Sequence, residues 1–406
     1  MSLDLTTSSQ LYERAQGVIP GGIPGIRAPE NFVPGSYPVL LAGGSGGRVR
    51  DVDGNEYVDL LLGYGPVVLG HAEAAVDAAA RERAHAGFCL NLPEPIMVDL
   101  AEALVRCVPS AEQVLFFKTG SDATSAAVRV ARAHTGRALV LRCGYHGWHD
   151  WCLEHDPGVP EVITRQVIPF AYNDADQLAT LLDKHRGDVA CIMLTPIGHD
   201  FDQQIEPPAP GFLQTVRELA DEHNVVLVFD EVRTGFRVHI GGAQGLYGVT
   251  PDLTALGKAL SNGYPVTALV GKSNVMQSAR DTFISSTYFP NGMEMAAALA
   301  TIGILQNEGV VDHLVNVGES LASQLEEIAD RRNLPVTLSP YPQMPFLYFD
   351  PSLATDQTAR RDRFYGELAQ AGVFAHPRHH GFLCWRHTEA DLQQVLDGVD
   401  RAASRL

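Results

Sequence analysis

The segment Val225-Val-Leu-Val-Phe-Asp230 indicates how this chain of 406 residues folds. Its five consecutive apolar residues lack the alternation of a half-buried strand and are typical of a strand covered on both faces, as in a parallel sheet between helices. Ligands of such sheets bind beyond the carboxyl ends of the strands. We therefore predict a site around Asp230.

A second segment, Asp252-Leu-Thr-Ala-Leu-Gly-Lys258, places a lysine among apolar and small residues. Desolvation disfavours an ammonium group, so Lys258 is a candidate Schiff-base nucleophile toward a carbonyl cofactor. A buried carboxylate needs a cationic partner, and for Asp230 the protonated nitrogen of a pyridine ring would serve. Together the two residues predict pyridoxal phosphate (PLP) chemistry. Arg233 and Arg237 are alternative partners for Asp230.

Composition excludes several classes of protein. The chain is 45% hydrophobic and 19% charged, typical of a globular protein, and its net charge of -18 argues against nucleic-acid binding. The acidic balance fits amine substrates, although an acidic surface that serves only solubility is the simpler explanation. Six cysteines without a CxxC pair favour free thiols. With no signal peptide and no apolar run of membrane-spanning length, we expect a cytoplasmic protein without a membrane span.

The order of predicted elements specifies an α/β fold. Strand-like runs alternate with helical segments from about residue 114 onward, which predicts a large domain with a mostly parallel sheet. The end of the chain predicts a smaller α+β domain. We expect residues 1–62 to join the small domain, residues 63–308 to form the large PLP-binding domain, and residues 309–406 to complete the small domain.

Two further motifs follow predicted strands. Lys118-Thr-Gly120-Ser121-Asp122 joins a strand to a helix, where free amides can bind phosphate. An ordinary helix cap formed by Ser121 or Asp122 is the alternative. In Tyr145-His146-Gly-Trp-His149, Tyr145 could stack on a flat ring. The two histidines lack a third ligand, so we predict no metal site. No GxGxxG follows the first strand of the sheet, which argues against a nicotinamide nucleotide.

Taken together, the motifs resemble those of class III PLP-dependent aminotransferases, a family that includes the glutamate-1-semialdehyde 2,1-aminomutases. The resemblance is carried by an ordered series of segments: Asp51–Asp59, Gly120–Arg132, Tyr145–Gly147, Phe229–Phe236 and Ala243–Lys258. It implies a fold-type I PLP-dependent transferase and a homodimer with shared active sites. It also implies a role for each matching residue: Lys258 as Schiff-base lysine and proton carrier, Asp230 at the pyridine nitrogen, Val232 behind the ring, Tyr145 on its face, Gly120 and Ser121 at the phosphate, and Thr287 at the partner subunit's phosphate.

The chain departs from the aminomutase pattern where substrate is expected. Tyr64 replaces a tryptophan, Thr195 replaces a glutamate, and His379 lies in a stretch that usually bears a glutamate. The segment from Thr287 to Asn291 replaces a smaller, more glycine-rich loop. These differences and the added histidines favour a hydroxyl-rich or amine-rich substrate such as an amino sugar or a specialised metabolite, unless the histidines are simply surface residues.

Arg27 falls near the family arginine that binds a substrate carboxylate, with a structural salt bridge as the alternative role. We predict an aminotransferase that moves an amino group between a small amine or amino acid and an aldehyde or keto substrate. A semialdehyde-type aminomutase is the alternative. A non-catalytic relative of this fold should lack Lys258.

Overall fold

A computed structural model describes residues 3–153, 156–198, 204–350 and 357–406 of the chain. The chain divides into two compact units, one of residues 1–73 with 312–406 and one of residues 74–311. The domain limits expected from the sequence remain predictions, because compactness does not show which segments fold independently. Within the described ranges, no helix is both long enough and apolar enough to cross a membrane.

The regular elements are numbered in chain order. The helices are α1 (Thr6–Gln16), α2 (Ala74–His85), α3 (Ile96–Cys107), α4 (Gly120–Thr135), α5 (Glu161–Thr164), α6 (Ala175–Lys184), α7 (Phe212–Glu222), α8 (Gly242–Tyr247), α9 (Ser273–Met276), α10 (Gly292–Asn307), α11 (Val310–Arg332), α12 (Gln357–Gln370) and α13 (Glu389–Ala403). The strands are β1 (Leu41–Ser45), β2 (Arg48–Asp51), β3 (Glu56–Asp59), β4 (Gln113–Phe117), β5 (Leu139–Cys143), β6 (Val167–Pro169), β7 (Val189–Leu194), β8 (Val226–Glu231), β9 (Leu253–Leu256), β10 (Thr267–Gly271), β11 (Val336–Leu338), β12 (Leu347–Phe349) and β13 (Val373–Phe374).

The unit of residues 74–311 is built on one sheet, in which the described strands lie in the order β4-β10-β9-β8-β7-β5-β6. The pairs from β9 through β6 are parallel, and β10 runs antiparallel to both of its neighbours. Every residue of β7 and β8 is buried, as expected for central strands covered on both faces. The predicted mostly parallel sheet is thus confirmed.

The unit of residues 1–73 and 312–406 has small sheets and long helices. A sheet of order β1-β2-β3-β13 includes a hairpin of β2 and β3, in which Val49 lies opposite Tyr57. The expected α+β character of this part is confirmed. Strand β1 was not predicted, because its sequence Leu-Ala-Gly-Gly-Ser carries no apolar alternation and all five residues are exposed.

Candidate active site

Neighbouring strand ends bring Asp230 and Lys258 to the same edge of the sheet. Strands β8 and β9 run parallel, with Asp230 opposite Ala255 and Glu231 opposite Leu256. Lys258 follows two residues after the end of β9 and begins a short 3-10 helix that ends at Ser261. The sheet register therefore explains how two residues so far apart in the sequence come to share one electrostatic environment.

Asp230 is buried, with 6% of its surface exposed, and its carboxylate has two partners. Its Oδ2 lies 2.9 Å from Nδ1 of His146, and its Oδ1 accepts a hydrogen bond of 3.1 Å from the backbone amide of Val232. The sequence had suggested Arg233 or Arg237 as alternatives to a pyridinium partner. The observed protein partner is instead His146, which is itself 3% exposed.

The amine of Lys258 forms no salt bridge with Asp230, yet the charge of Asp230 acts on the pKa of Lys258. The pKa of Lys258 is lowered to about 8, chiefly by burial and also by the charges of Arg233 and Arg237, while the charge of Asp230 acts in the opposite direction. Lys258 also has φ of +47°, a left-handed conformation that costs free energy in a residue other than glycine. A lysine with a pKa near neutrality is suited to nucleophilic and proton-transfer roles.

The loop after β4 leads directly into the first turn of α4. Thr119 caps α4 in a capping box with Asp122, so of the two capping residues considered from the sequence Asp122 takes part in the cap and Ser121 does not. Among the described residues, the backbone amides of Gly120 and Ser121 therefore donate to no acceptor, and the positive end of the helix dipole adds to their potential. A Cβ atom at Gly120 would lie only 3.0 Å from Cγ1 of Val232, so a larger residue here would require the side chain of Val232 to shift.

Aromatic and small residues complete this edge. Tyr145 follows β5 and is 46% exposed, leaving a large ring face available. A Cβ atom at Gly147 would collide with the hydroxyl of Ser121, and that hydroxyl accepts a hydrogen bond of 3.2 Å from the amide of Trp148. Thr195 follows β7 and is buried beneath Gly144. Thr287 lies on an exposed loop before α10.

The histidines suggested as a metal pair have separate partners. His146 contacts Asp230, whereas Nδ1 of His149 lies 2.7 Å from the hydroxyl of Ser125. Neither contact resembles shared ligation of one ion. His146 is therefore the histidine of this motif that contacts Asp230. The sequence analysis did not predict this contact. Its position directly after the ring-stacking candidate Tyr145 was the only signal available in the sequence.

The predicted substrate residues are grouped in the unit that contains both chain ends. The guanidinium carbon of Arg27 lies 5.4 Å from the ring centroid of Tyr64. The ring of His379 meets that of Tyr64 edge-on, with the two centroids 5.2 Å apart. The hydroxyl of Tyr64 donates a 2.7 Å hydrogen bond to the carbonyl of Ile26. Arg27 forms no salt bridge with a carboxylate of the described residues, so the structural role weighed for it has no support there.

The family model described as aminotransferase class III matches residues 34–339, which is most of the chain. The chain belongs to the class III aminotransferases. This aminotransferase is 43% identical to the 3-aminobutyryl-CoA aminotransferase of Cloacimonas acidaminovorans (strain Evry), over 98% of the chain and 96% of that protein. It is 34% identical to a glutamate-1-semialdehyde 2,1-aminomutase of Desulfotalea psychrophila (strain LSv54 / DSM 12343), over 98% of each.

Solved structures agree with this assignment. The chain matches the FumI protein of Sphingopyxis sp. MTA144 in its PLP form with a TM-score of 0.95 and 35% identity, covering 98% of this chain and 96% of that one. The fold is therefore that of a fold-type I PLP-dependent transferase, and the cofactor of this aminotransferase is PLP, as predicted. The site fits that group, since free amides at a helix start match its phosphate and the buried Asp230 matches its ring nitrogen.

Proposed function

We propose that this aminotransferase moves an amino group between a small amine or amino acid and an aldehyde or keto substrate, with Lys258 carrying the proton. The observation that supports this role is the amine of Lys258, which has no hydrogen-bond partner among the described residues and a pKa lowered to about 8. An amine of this pKa accepts and returns protons near neutral pH, where an ordinary lysine would stay charged.

When bound, PLP supplies the electron sink that weakens the Cα–H bond of the amine substrate. The residues of the chain hold that group and move the proton. Asp230 stabilises positive charge at the pyridine nitrogen, because a buried carboxylate strongly favours a cation beside it. His146 orients Asp230 by donating from Nδ1, and the amide of Val232 fixes the second carboxylate oxygen.

The remaining cofactor contacts are assigned from position and exposure. The free amides of Gly120 and Ser121 would bind the phosphate, and the exposed ring of Tyr145 and the side chain of Val232 would hold the ring of the cofactor. Lys258, held in a left-handed backbone conformation after β9, presents its amine at the same sheet edge.

A homodimer is part of the proposal. Thr287 is exposed and lies between Phe283, which is 85% exposed, and Tyr288, which is 61% exposed. Exposed aromatic residues gathered on one loop are typical of a protein interface. In a dimer, Thr287 would bind the phosphate held by the partner subunit. Free cysteines at all six positions support a reducing, cytoplasmic location.

For the substrate, we propose a β-amino acyl compound, in which the amino group lies two carbons from the acyl carbon. The support is the 43% identity to a 3-aminobutyryl-CoA aminotransferase, which exceeds the 34% identity to an aminomutase. Arg27 would bind a carboxylate or a similar anion of the substrate, since its guanidinium has no carboxylate partner among the described residues.

The experiment is a half-reaction measured on purified holoenzyme. The amines are added one at a time: 3-aminobutyrate, 3-aminobutyryl-CoA, glutamate, alanine, a diamine and an amino sugar. The rate at which the PLP absorbance changes to that of the pyridoxamine form should be highest with a β-amino compound. Lys258→Ala should abolish the conversion, whereas Lys184→Ala, on the surface, should leave it unchanged. Turnover by Lys258→Ala at the wild-type rate would overturn the proposal.

The aminomutase alternative makes a separable prediction. An aminomutase needs no external acceptor, whereas an aminotransferase stops after one turnover without one. Multiple turnovers of glutamate-1-semialdehyde in the absence of any keto acid would favour the aminomutase.

A further inference from the structure

Thr267, the first residue of β10, is a buried threonine whose two side-chain branches contact different parts of the sheet edge. It lies opposite Phe117 in the antiparallel pair of β10 and β4. Its hydroxyl donates a 2.9 Å hydrogen bond to the carbonyl of Thr119, and its methyl group faces Gly257. Thr267 therefore contacts both the residue that caps α4 and the residue that precedes Lys258.

The hydrogen bond to Thr119 acts on a peptide group that carries one of the free amides. The carbonyl of Thr119 and the N–H of Gly120 belong to the same peptide, which is trans, so the two groups point in opposite directions. A donor that holds the carbonyl on one side therefore fixes the direction of the N–H on the other. Among the described residues this N–H has no acceptor, which leaves it available to an anion.

In the described part of the chain, three donors reach the carbonyl oxygen of Thr119. The backbone amides of Asp122 and Ala123 lie 3.1 and 3.2 Å from it, as is common at a helix start, and the hydroxyl of Thr267 approaches from outside the helix. A carbonyl that accepts hydrogen bonds is more strongly polarised, which makes the N–H of the same peptide a better donor. Thr267 thus acts on both the direction and the donor strength of the Gly120 amide.

The methyl branch holds the side chain of Thr267 in place. A Cβ atom at Gly257 would come within 2.8 Å of Cγ2 of Thr267 and within 3.4 Å of Cγ1 of Val232, so these three residues are closely packed. Close packing around a β-branched side chain leaves one rotamer. The hydroxyl is therefore held toward Thr119 before any ligand binds.

We propose that Thr267 is a positioning residue for the phosphate of PLP, because its hydroxyl orients the amide of Gly120 that receives the phosphate. This role rests on the proposed function, in which the amides of Gly120 and Ser121 bind the phosphate. Thr267 acts indirectly, through the peptide between Thr119 and Gly120. It should therefore change how tightly a phosphate-bearing cofactor is held and have no effect on one without a phosphate.

The affinity for pyridoxamine phosphate (PMP) tests this role, because PMP carries the phosphate and forms no Schiff base with Lys258. The full-length protein is freed of cofactor by dialysis and titrated calorimetrically with PMP and with pyridoxamine, which lacks the phosphate. The wild type should prefer PMP by on the order of a hundredfold, as expected for two charge-assisted hydrogen bonds.

Thr267→Val keeps the branched shape of the side chain and removes its hydroxyl. PMP binding should weaken roughly fivefold, as expected for the net loss of one hydrogen bond, and pyridoxamine binding should change by less than about twofold. Thr267→Ala also lacks the hydroxyl but leaves more space, and it should give the same result. Thr267→Ser restores a hydroxyl and should bind PMP more tightly than either.

A second buried threonine supplies the matched control. The hydroxyl of Thr301, within α10 of the same unit, donates a 2.8 Å hydrogen bond to the carbonyl of Ala297. Thr301→Val removes a bond of the same kind and should bind both ligands like the wild type. Thermal unfolding verifies that each variant is folded.

The outcomes separate the role of Thr267 from the phosphate site itself. Equal affinity of the wild type for PMP and pyridoxamine would count against the phosphate site of the proposed function and, with it, against this role. A preference for PMP that is the same in the wild type, Thr267→Val and Thr267→Ala would overturn the role of Thr267 alone. Equal weakening of both ligands would overturn it too, because a structural defect does not distinguish them.

Discussion

The edge of the sheet around Asp230 and the loops around Tyr64 are organised in opposite ways. At the sheet edge, functional groups follow regular strands whose register fixes their relative positions, and Asp230 has partners on two sides. Around Tyr64, the groups lie on loops with left-handed backbone and contact one another through ring edges. The first arrangement suits chemistry that tolerates little displacement, and the second suits a surface that can differ between related enzymes.

This difference explains where the chain resembles its family and where it departs from it. Residues proposed to hold PLP match the family motifs, whereas Tyr64 and His379 do not match the aminomutase pattern. A loop accepts substitution at lower cost than a buried strand, because fewer packed neighbours must adjust. We therefore expect substitutions at the sheet edge and in the loops around Tyr64 to affect different steps of the reaction.

The largest effect is expected from Lys258→Ala. Loss of both the nucleophile and the proton carrier should reduce kcat by roughly 10⁴-fold or more. Steady-state kinetics on the purified variant measure the loss. A kcat within tenfold of the wild-type value would contradict the role proposed for Lys258.

Asp230→Asn should come next. The amide keeps the size of the carboxylate but removes its charge, so kcat should fall by about 10²–10³-fold, as for loss of one preorganised electrostatic group. The absorbance of bound PLP should shift as well, since the charge on the ring changes. An unchanged spectrum together with a normal rate would refute the assigned role.

His146→Ala should reduce kcat by about tenfold, because Asp230 loses a buried hydrogen bond of the charge-assisted kind. His146→Asn offers an amide donor near the position of Nδ1 and should recover most of the rate. The ratio of the two variants is informative, since a merely structural histidine would give equal losses. KM for the amine should stay constant in both.

Arg233→Gln tests the electrostatics of Lys258. The charge of Arg233 lowers the pKa of Lys258, so its removal should raise that pKa above the wild-type value of about 8. The pH at which the half-reaction reaches half of its maximal rate should therefore rise. At pH 8 the rate should fall by less than tenfold. Arg14→Gln is the control. A lower pH for the half-maximal rate would contradict the predicted rise in the pKa of Lys258.

The smallest effect is expected from Tyr64→Phe. Loss of the hydroxyl bond to the carbonyl of Ile26 should loosen the segment under Arg27 and raise KM for a carboxylate-bearing substrate by about two- to fivefold. The value of kcat should not change, because the sheet edge is untouched. A drop in kcat with constant KM would place Tyr64 in the chemistry.

Sequence alone determined the fold class and the central pair of residues. Strands β7 and β8 could be predicted because continuous apolar runs report burial on both faces, a local property of the chain. Asp230 and Lys258 could be proposed because each stands next to such a run. The helix start at Gly120 was found for the same reason, since it follows a strand directly.

Tertiary structure decided which groups meet. The contact of His146 with Asp230 and the position of Arg27 over Tyr64 both depend on segments distant in sequence. The capping of α4 by Thr119 is local, but the sequence did not show which hydroxyl would cap the helix. The apolar cavity lined by Phe32, Val33 and Phe374, among others, could not be predicted, because a void is defined by residues that pack around it and not by a pattern in any one segment. Local hydrophobic patterns determine elements, while partners and cavities require the packed chain.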